Sequence, residues 1–487
     1  MVVQQSLKNK AITGMLWNSI DKIAVQGIAF VIGIILARIL MPADYGLIGM
    51  LAIFIAFSDI FIVSGFSMAL IQKKDRTDVD YSTVFYFNLI VSVLCYILVF
   101  LGAPLIAQFF NAPQLINLAR VSFLIIIINA LSIVQQTRLT INLDFKSQAL
   151  IALVSVVVSG IIGLFMAYRG FGVWSLVAQM LTAAMIRVIL LFYYNKWLPL
   201  PIFSFSSFKK LFHFSSKVLG AGIIATVGNN LHSLIIGKVF AERSLGFYTK
   251  AKQYPDILSG TITSILQGVT FPILTSLQGE RDRLLTVYVR LMRMIVFFVI
   301  PSMTLMILLS EPFVRLLLTE KWLPIVPLMQ WMCLARIFTP IAGLNLNVIN
   351  AVGRSDLFLL LDAIKFPILL ASAVIALPFG LTALVIGIFL CNMIGFFINA
   401  YYPGKLFGFG AFRQIKEMWR VICATLIMTA VVYVSIIFLP SDLLKLLVGV
   451  PLGGGSYLLA AYLLKIEEIS EVKSITKSII MRLSGAS

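Results

Sequence analysis

The sequence predicts an all-α polytopic membrane protein. Of its 487 residues, 60% are hydrophobic and only 12% are charged, whereas a soluble domain has about 25% charged residues. The apolar residues form long continuous runs, and a helix needs about 20 such residues to cross roughly 30 Å of hydrocarbon. A transmembrane barrel would instead show short alternating segments.

The hydropathy pattern predicts about fourteen transmembrane helices. Most of the 38 Lys and Arg residues fall on the side that holds both termini. Because basic residues concentrate in cytoplasmic loops, we expect both termini to be cytoplasmic. One outer loop is an exception, because it carries Lys238, Arg243, Lys250 and Lys252. The predicted spans are residues 12–36, 46–71, 81–109, 115–135, 149–168, 172–194, 218–239, 254–277, 288–309, 326–349, 357–377, 381–402, 418–439 and 443–464.

A short internal repeat suggests how these helices are organised. Residues 37–47, ARILMPADYGL, align without gaps on residues 237–247, GKVFAERSLGF, and Gly46 matches Gly246. Both copies have the same orientation, and parallel repeats are common in secondary transporters. A chance match of short loops is the alternative. The predicted regions are a six-helix lobe at 1–194, a cytoplasmic interfacial linker at 195–217, a second six-helix lobe at 218–402, and two extra helices with a cytoplasmic tail at 403–487.

Polar residues inside the spans are the candidates for a substrate site. A charged side chain at bilayer depth costs about 2.5 to 3.5 kcal/mol on insertion scales, so it usually faces a cavity or a partner. Asp362 lies three residues before Lys365, so mutual neutralisation is an alternative there, and the amides could serve only helix packing. The candidates are Lys22, Arg187, Arg336, Lys365, Asn229, Asn230, His232 and Gln267.

Asp59 is the candidate for coupling transport to a proton or sodium gradient. It lies near the middle of the second predicted span and has no basic neighbour one helical turn away. Desolvation at that depth would make its protonation sensitive to the side from which it is accessible. The alternative is a hydrogen bond to a neighbouring helix or a pair with Lys22.

Composition and motifs argue against metal, cofactor and nucleic-acid functions. The four cysteines lie in apolar runs without Cys-x-x-Cys spacing, and only two histidines are present, so we expect no metal site. The formal charge of +18 has a topological explanation and does not predict a nucleic-acid partner. Asp78 and Asp80 have a spacing that can bind a divalent cation in glycosyltransferases. Their loop is too short for such a site, so a solvated, charge-balanced loop is the better interpretation.

Several segments resemble the polysaccharide exporters of the multidrug/oligosaccharidyl-lipid/polysaccharide superfamily, and most closely its colanic acid and teichuronic acid exporter branch. The resemblance is carried by residues 14–72, 245–278 and 320–357, and within them by ARILMPADYG at 37–46 and by Gly353-Arg354. It implies two six-helix lobes that move lipid-linked oligosaccharides across the bacterial inner membrane. Such a flippase serves lipopolysaccharide, capsule or exopolysaccharide biosynthesis. Its expected partners are the lipid-linked oligosaccharide, membrane lipids and polysaccharide biosynthesis enzymes, with no cofactor.

The charges in the spans fit an anionic cargo. A polyprenyl diphosphate needs cationic groups for its phosphates, and Lys22, Arg187, Arg336 and Lys365 could supply them. Two alternatives remain. A multidrug or organic cation antiporter would instead use carboxylates, but only Asp59 remains uncompensated against the two arginines. A membrane-embedded glycosyltransferase or polymerase is less consistent with the short loops.

Overall fold

The computed structural model describes residues 24–470 except 64, 74 and 278. Every regular element in this part of the chain is helical. Side chains are described except at 61–63, 213, 214, 217, 218, 221, 224, 225, 264–273, 275, 276, 355 and 359.

Seventeen α-helices follow one another along the described chain, with short π and 3₁₀ turns at Val314–Leu318, Glu320–Trp322 and Leu377–Phe379. The helices are α1 (Ala24–Ile39, as far as it is described), α2 (Pro42–Val63), α3 (Phe66–Gln72), α4 (Asp78–Phe110), α5 (Leu115–Ser122), α6 (Leu124–Ile141), α7 (Phe145–Tyr168), α8 (Trp174–Asn195), α9 (Phe205–Val239), α10 (Glu242–Ser276), α11 (Arg281–Leu308), α12 (Ser310–Phe313), α13 (Ile325–Ala351), α14 (Ser355–Ala376), α15 (Leu381–Phe407), α16 (Ala411–Phe438) and α17 (Asp442–Leu463).

The prediction of an all-α membrane protein is confirmed, although the number of spans differs. Within the described residues, 11 helical segments are long and apolar enough to cross a membrane. The other predicted spans lie in α1, which is described only from Ala24, and in α9 and α10, where part of the side chains are not described. The second predicted span is not one helix, because α2 ends at Val63 and α3 begins at Phe66.

The chain divides into two compact units, with the division between Thr249 and Lys250. In the first unit, α2 packs along α9, α4 packs on α6, and α8 packs on α6 and α7. In the second unit, α13 packs on α11 and α15, and α16 packs on α17 and α11. The lobe boundaries expected from the sequence lie elsewhere and stay a prediction.

The two copies of the sequence repeat have the same local structure. α1 ends at Ile39 and α2 begins at Pro42, while α9 ends at Val239 and α10 begins at Glu242. In both turns the backbone N–H of the residue after the first helix donates to the carbonyl four residues earlier, at 2.8 Å for Leu40 and Leu36 and at 2.9 Å for Phe240 and Ile236. The repeat is therefore a feature of the folded chain.

The copies also contact each other at their matched glycines. A side chain on Gly46 would overlap the Glu242 carbonyl group, and a side chain on Gly246 would overlap the Pro42 carbonyl group. Only glycine allows backbones to approach this closely. The first turns of α2 and α10 therefore cross with pseudo-twofold symmetry inside the first unit.

The predicted linker is extended in its first part and helical in its second, because α9 already begins at Phe205. The extended part is tied to the start of α4. The backbone N–H of Leu200 donates to Ser82 Oγ at 2.9 Å, and that of Ser204 donates to Thr83 Oγ1 at 3.1 Å. These bonds satisfy backbone donors that lack a regular helix partner.

Three buried polar side chains connect helices of the second unit. The Tyr288 hydroxyl of α11 donates to Asn345 Oδ1 of α13, and Gln414 Nε2 of α16 donates to the Tyr288 oxygen at 3.0 Å. All three side chains are buried. Buried polar groups that satisfy one another specify one packing arrangement. They attach α16, the first of the two helices beyond the predicted lobes, to α11 and α13.

Candidate functional site

A charged pair lies where α10 contacts α13 in the second unit. Arg336 Nε donates a hydrogen bond to Asp256 Oδ1. Ser259, further along α10, donates its hydroxyl to the backbone carbonyl of Arg336 at 3.3 Å. The Arg336 side chain is 18% exposed and that of Asp256 is 36% exposed, so the pair is partly shielded from its surroundings. Such an ion pair is energetically demanding, because desolvating two charges is costly.

Two lysines of α10 precede Asp256 in the chain. Lys252 is one turn before Asp256, a spacing that places the two side chains on one helix face. Lys250 is buried, and its Nζ donates to Gln253 Oε1 at 3.0 Å. We call Lys252, Asp256 and Arg336 the α10–α13 charge cluster. With two cations and one carboxylate, this cluster has an excess of positive charge.

Lys250 and Lys252 lie in a helix and not in the loop to which the sequence assigned them. The sequence placed both lysines in a basic outer loop, which was an exception to the usual charge distribution. In the structure α10 begins at Glu242, so both lysines lie within a helix of 35 residues. The connection between α9 and α10 is therefore shorter than expected, and the side of the membrane on which it lies stays a prediction.

Arg336 forms an ion pair, although the count of charges in the predicted spans assigned it no acidic partner. Its partner Asp256 lies 80 residues away in the chain and close to the start of the predicted eighth span. Asp256 and Lys252 were both missed, although their spacing of four residues is typical of interacting charges on one helix face. That spacing was the only available signal.

The other basic candidates have different surroundings. Arg187 on α8 is exposed, and no described carboxylate lies within ion-pair distance of it. Lys365 Nζ lies 2.6 Å from Asp362 Oδ1 on its own helix. The mutual neutralisation considered from the sequence is therefore the observed arrangement. Lys22 lies outside the described residues, as does the side chain of Gln267.

The polar candidates of α9 show varied burial. Asn229 is exposed, whereas Asn230 is partly buried and donates to the Thr226 carbonyl of its own helix at 2.9 Å. His232 is buried, with 5% of its surface exposed. Because a hydrogen bond within its own helix satisfies the Asn230 amide without a substrate, Asn230 says least about substrate binding among these three residues.

Asp59 has a partner on another helix, as the alternative interpretation expected. Asn129 Nδ2 of α6 lies 3.5 Å from Asp59 Oδ1. This distance is at the long limit for a hydrogen bond. No described basic side chain pairs with Asp59, and Lys22, the pair suggested from the sequence, falls outside the described residues. The carboxylate is therefore only weakly constrained by the contacts that are described.

Asp78 and Asp80, whose spacing is typical of glycosyltransferases, stabilise the start of α4. Asp80 Oδ2 accepts from Lys73 Nζ at 2.5 Å and from the Thr77 backbone N–H at 2.8 Å. Asp78 Oδ1 accepts from the Trp197 indole N–H at 3.0 Å. Thr77 and Asp80 form a capping box, which stabilises a helix N-terminus. Within the described residues, no group of three or more His, Cys, Asp or Glu side chains could hold a metal ion.

The motifs behind the family resemblance also have structural roles. Asp44 Oδ2 accepts the Met41 backbone N–H at 2.8 Å and caps the start of α2. Gly353 has a φ of 79°, a conformation that favours glycine, in the turn before α14. Arg354 donates its Nε to Asp356 Oδ1 at 2.9 Å, and this hydrogen bond raises the pKa of Arg354.

The chain is similar to proteins of bacterial polysaccharide biosynthesis. A family model described as polysaccharide biosynthesis protein matches residues 35–327. The teichuronic acid biosynthesis protein TuaB of Bacillus subtilis is 25% identical over 357 residues, which are 72% of this chain and 73% of TuaB. The lipopolysaccharide biosynthesis protein WzxC of Escherichia coli is 22% identical over 418 residues, 85% of each chain.

The fold has a solved counterpart. The structure of the lipid II flippase MurJ in an inward closed conformation matches with a TM-score of 0.73 and 15% identity, over 94% of this chain and 100% of that one. This likeness shows a shared fold. Because the family model covers more than half of the chain, the protein belongs to the polysaccharide biosynthesis protein family.

Proposed function

We propose that this protein is a flippase that carries polyprenyl-diphosphate-linked oligosaccharide units across the bacterial inner membrane. The units would serve the synthesis of lipopolysaccharide, capsule or exopolysaccharide. The observation that carries the proposal is the excess of positive charge in the α10–α13 charge cluster of a polysaccharide biosynthesis transporter. The similarity to TuaB and WzxC, proteins of teichuronic acid and lipopolysaccharide biosynthesis, supports the same class of cargo.

The chemistry of this cargo matches the cluster. A polyprenyl diphosphate has anionic phosphates, a polar sugar and a long apolar tail. Arginine can donate two parallel hydrogen bonds to a phosphate, and lysine adds a compact charge. Arg336 is therefore the leading phosphate ligand in this proposal. Arg187, Lys22 and the polar residues Asn229, Asn230, His232 and Gln267 are further candidates, whereas Asp362 already neutralises Lys365.

The proposed transport cycle is alternating access. It assumes about fourteen spans, two parallel six-helix lobes at 1–194 and 218–402, and cytoplasmic termini. The matched turns between α1 and α2 and between α9 and α10 support the internal repeat on which this cycle depends. Asp59 is the proposed coupling residue for a proton or sodium gradient. Biosynthetic enzymes that make the lipid-linked unit are the proposed partners, together with the surrounding lipids.

Translocation in proteoliposomes tests this proposal. Vesicles containing the purified full-length protein would carry a radiolabelled undecaprenyl-diphosphate-linked oligosaccharide, and an added periodate reagent would report which sugars face outward. We expect the protein to accelerate exchange between leaflets, and we expect Arg336→Gln to reduce the rate at least tenfold. Arg283→Gln is the matched control, because Arg283 is 72% exposed and its pair with Glu280 is worth little.

The same vesicles separate this function from its main alternative. An organic cation antiporter would extrude a cationic dye such as ethidium against a gradient, whereas the proposed flippase would not. Dye extrusion without exchange of the diphosphate-linked glycan would refute the proposal. If the rate of glycan exchange is unchanged in Arg336→Gln, in Arg187→Gln and in the double variant, the cationic site is refuted.

A further inference from the structure

We propose that Asp256 is a built-in counter-ion for a phosphate subsite formed by Arg336 and Lys252, an inference that rests on the function proposed above. In the empty site Asp256 holds the guanidinium of Arg336. When the lipid diphosphate binds, its phosphate replaces Asp256 as the counter-ion of both cations. When the phosphate leaves, Asp256 again compensates them.

The hydrogen bonds of Arg336 leave one edge of its side chain available. Its Nε donates to Asp256, whereas its two terminal nitrogens have no hydrogen-bond acceptor among the residues that the structure describes. The terminal nitrogens of a guanidinium form a planar fork that matches two oxygens of one phosphate. Asp256 thus fixes the orientation of the guanidinium from one side and leaves the fork to a ligand.

Lys252 adds the second cation. It lies four residues before Asp256 on α10, a spacing that places both side chains on the same helix face. Because Asp256 pairs with Arg336, this spacing brings the Lys252 side chain to the same part of the contact between α10 and α13. One carboxylate cannot neutralise two cations, and an uncompensated cation in a partly buried position is costly. A phosphate group would supply the missing negative charge.

The contact between α10 and α13 includes a hydrogen bond that does not involve these charges. Ser259 connects the two helices through the backbone carbonyl of Arg336, independently of the ion pair. In addition, the matched helix of the first copy, α2, has Ala52 and Ala56 at the positions of Lys252 and Asp256. A helix therefore forms at the matched position of the repeat without these charged residues.

A counter-ion of this kind favours release as well as binding. Two cations without a carboxylate would hold a diphosphate strongly, and a carrier that holds its cargo too strongly turns over slowly. The Asp256 carboxylate competes with the phosphate for Arg336 and Lys252. Removing its charge should therefore strengthen binding and slow dissociation, whereas a residue with only a structural role would weaken binding when it is replaced.

Binding of undecaprenyl diphosphate to the purified full-length protein tests the cations. The radiolabelled lipid without sugar is the probe, and equilibrium binding is measured in detergent. We expect Lys252→Gln to raise the Kd about tenfold and Lys252→Arg to restore most of the affinity. Lys445→Gln is the matched control, because Lys445 also lies about one helical turn from an aspartate, with Nζ 3.6 Å from Asp442 Oδ1. An unchanged Kd in Lys252→Gln would overturn the subsite.

The same assay tests the counter-ion. We expect Asp256→Asn to lower the Kd several-fold and to slow dissociation of the lipid, whereas Asp256→Glu behaves like the native protein. Weaker binding in Asp256→Asn, with native-like thermal stability, would show that Asp256 does not compete with the phosphate and would overturn the proposal. If Asp256→Asn and Asp256→Glu both lose stability and binding, Asp256 has a structural role and the proposal is overturned.

Three further probes identify the recognised group and separate the two proposals. Undecaprenol should not compete, undecaprenyl monophosphate should compete weakly, and inorganic pyrophosphate should compete if the phosphates alone are recognised. Equal competition by undecaprenol would overturn the subsite. Tight, Lys252-dependent binding of the diphosphate without translocation would support the subsite and refute the proposed function. Translocation that does not change when Lys252 or Asp256 is replaced would support the proposed function and refute the subsite.

Discussion

Helices α2 and α10 follow the two copies of the sequence repeat, and they differ in length and in charge. They begin at matched positions, Pro42 and Glu242, and they cross through matched glycines. Beyond the crossing, α2 has Met50, Ala52 and Ala56 where α10 has Lys250, Lys252 and Asp256. Since the two helices share their start and crossing, the repeat supplies a scaffold and the charges are an addition to it.

The carboxylates of the two copies also differ in their surroundings. Among the described contacts, Asp59 of α2 has the amide of Asn129 at 3.5 Å, whereas the equivalent position in α10 is Ser259, which donates to the Arg336 carbonyl. Asp256 of α10 is held by a guanidinium. This difference suggests a division of roles, in which the second copy binds the anionic cargo and the first copy responds to an ion gradient. The following changes test that division.

The largest effect is expected when α10 is given the residues of α2. Lys252→Ala combined with Asp256→Ala should reduce glycan exchange in proteoliposomes about 100-fold, because the one charge-assisted hydrogen bond lost between Lys252 and the phosphate is worth about 1.5 to 3 kcal/mol. Ala52→Ser with Ala56→Ser, at the matched positions of α2, is the control and should leave exchange nearly unchanged. Equal losses in both pairs would remove the distinction between the copies.

The next effect concerns the carboxylate of α2. Asp59→Asn should abolish gradient-driven accumulation of the glycan lipid while equilibrating exchange persists, because the neutral amide cannot carry a titratable charge. At 100 mV one charge corresponds to about 2.3 kcal/mol, so roughly a fiftyfold accumulation should be lost. The measurement compares vesicles with and without an imposed gradient. Native accumulation in Asp59→Asn would exclude this residue from coupling.

A smaller effect is expected from fixing the crossing of the two copies. Cysteines at Pro42 and Glu242, joined by a cleavable bifunctional reagent, should slow glycan exchange at least tenfold if transport requires the first turns of α2 and α10 to separate. Cleavage of the reagent should restore the rate, and each single-cysteine variant provides the control. Full exchange in the cross-linked protein would mean that this crossing stays closed during transport.

The smallest effect is on stability and should be equal in both copies. Gly46→Ala and Gly246→Ala each force a side chain against a carbonyl group, and such overpacking costs about 1 to 3 kcal/mol. In a chain of this size we expect each Tm to fall by several degrees, about 2 to 4 °C per kcal/mol. Gly102→Ala is the control, because no atom lies within 4 Å of its added carbon. A loss confined to one glycine would show that the crossing is not symmetric.

The sequence predicted most of the fold because hydropathy acts locally along the chain. Each predicted span overlaps a helix, whereas the break between Val63 and Phe66 has no clear local signal. The extent of α10 was also missed, since its first turns are polar and were assigned to a loop. The repeat was detectable because its turns and glycines serve the same purpose in both copies.

The candidate site was less predictable because pairing between distant residues is a tertiary property. Arg336 was correctly identified as a charged residue within a span, but Asp256 on another helix was not recognised as its partner. Asn129 was missed as the neighbour of Asp59 for the same reason. By contrast, the pair of Lys365 with Asp362 was considered in advance, because both residues lie on one helix face.

The most direct test of this account is to map where the cargo phosphates bind. An undecaprenyl diphosphate with a photoreactive group beside its phosphates would be irradiated with the full-length protein, and labelled peptides would be identified by mass spectrometry. The account predicts labelling of α10 near Lys252 and Asp256 and of α13 near Arg336, with competition by the unmodified lipid. Competable labelling of the matched segment of α2, with α10 and α13 unlabelled, would contradict it.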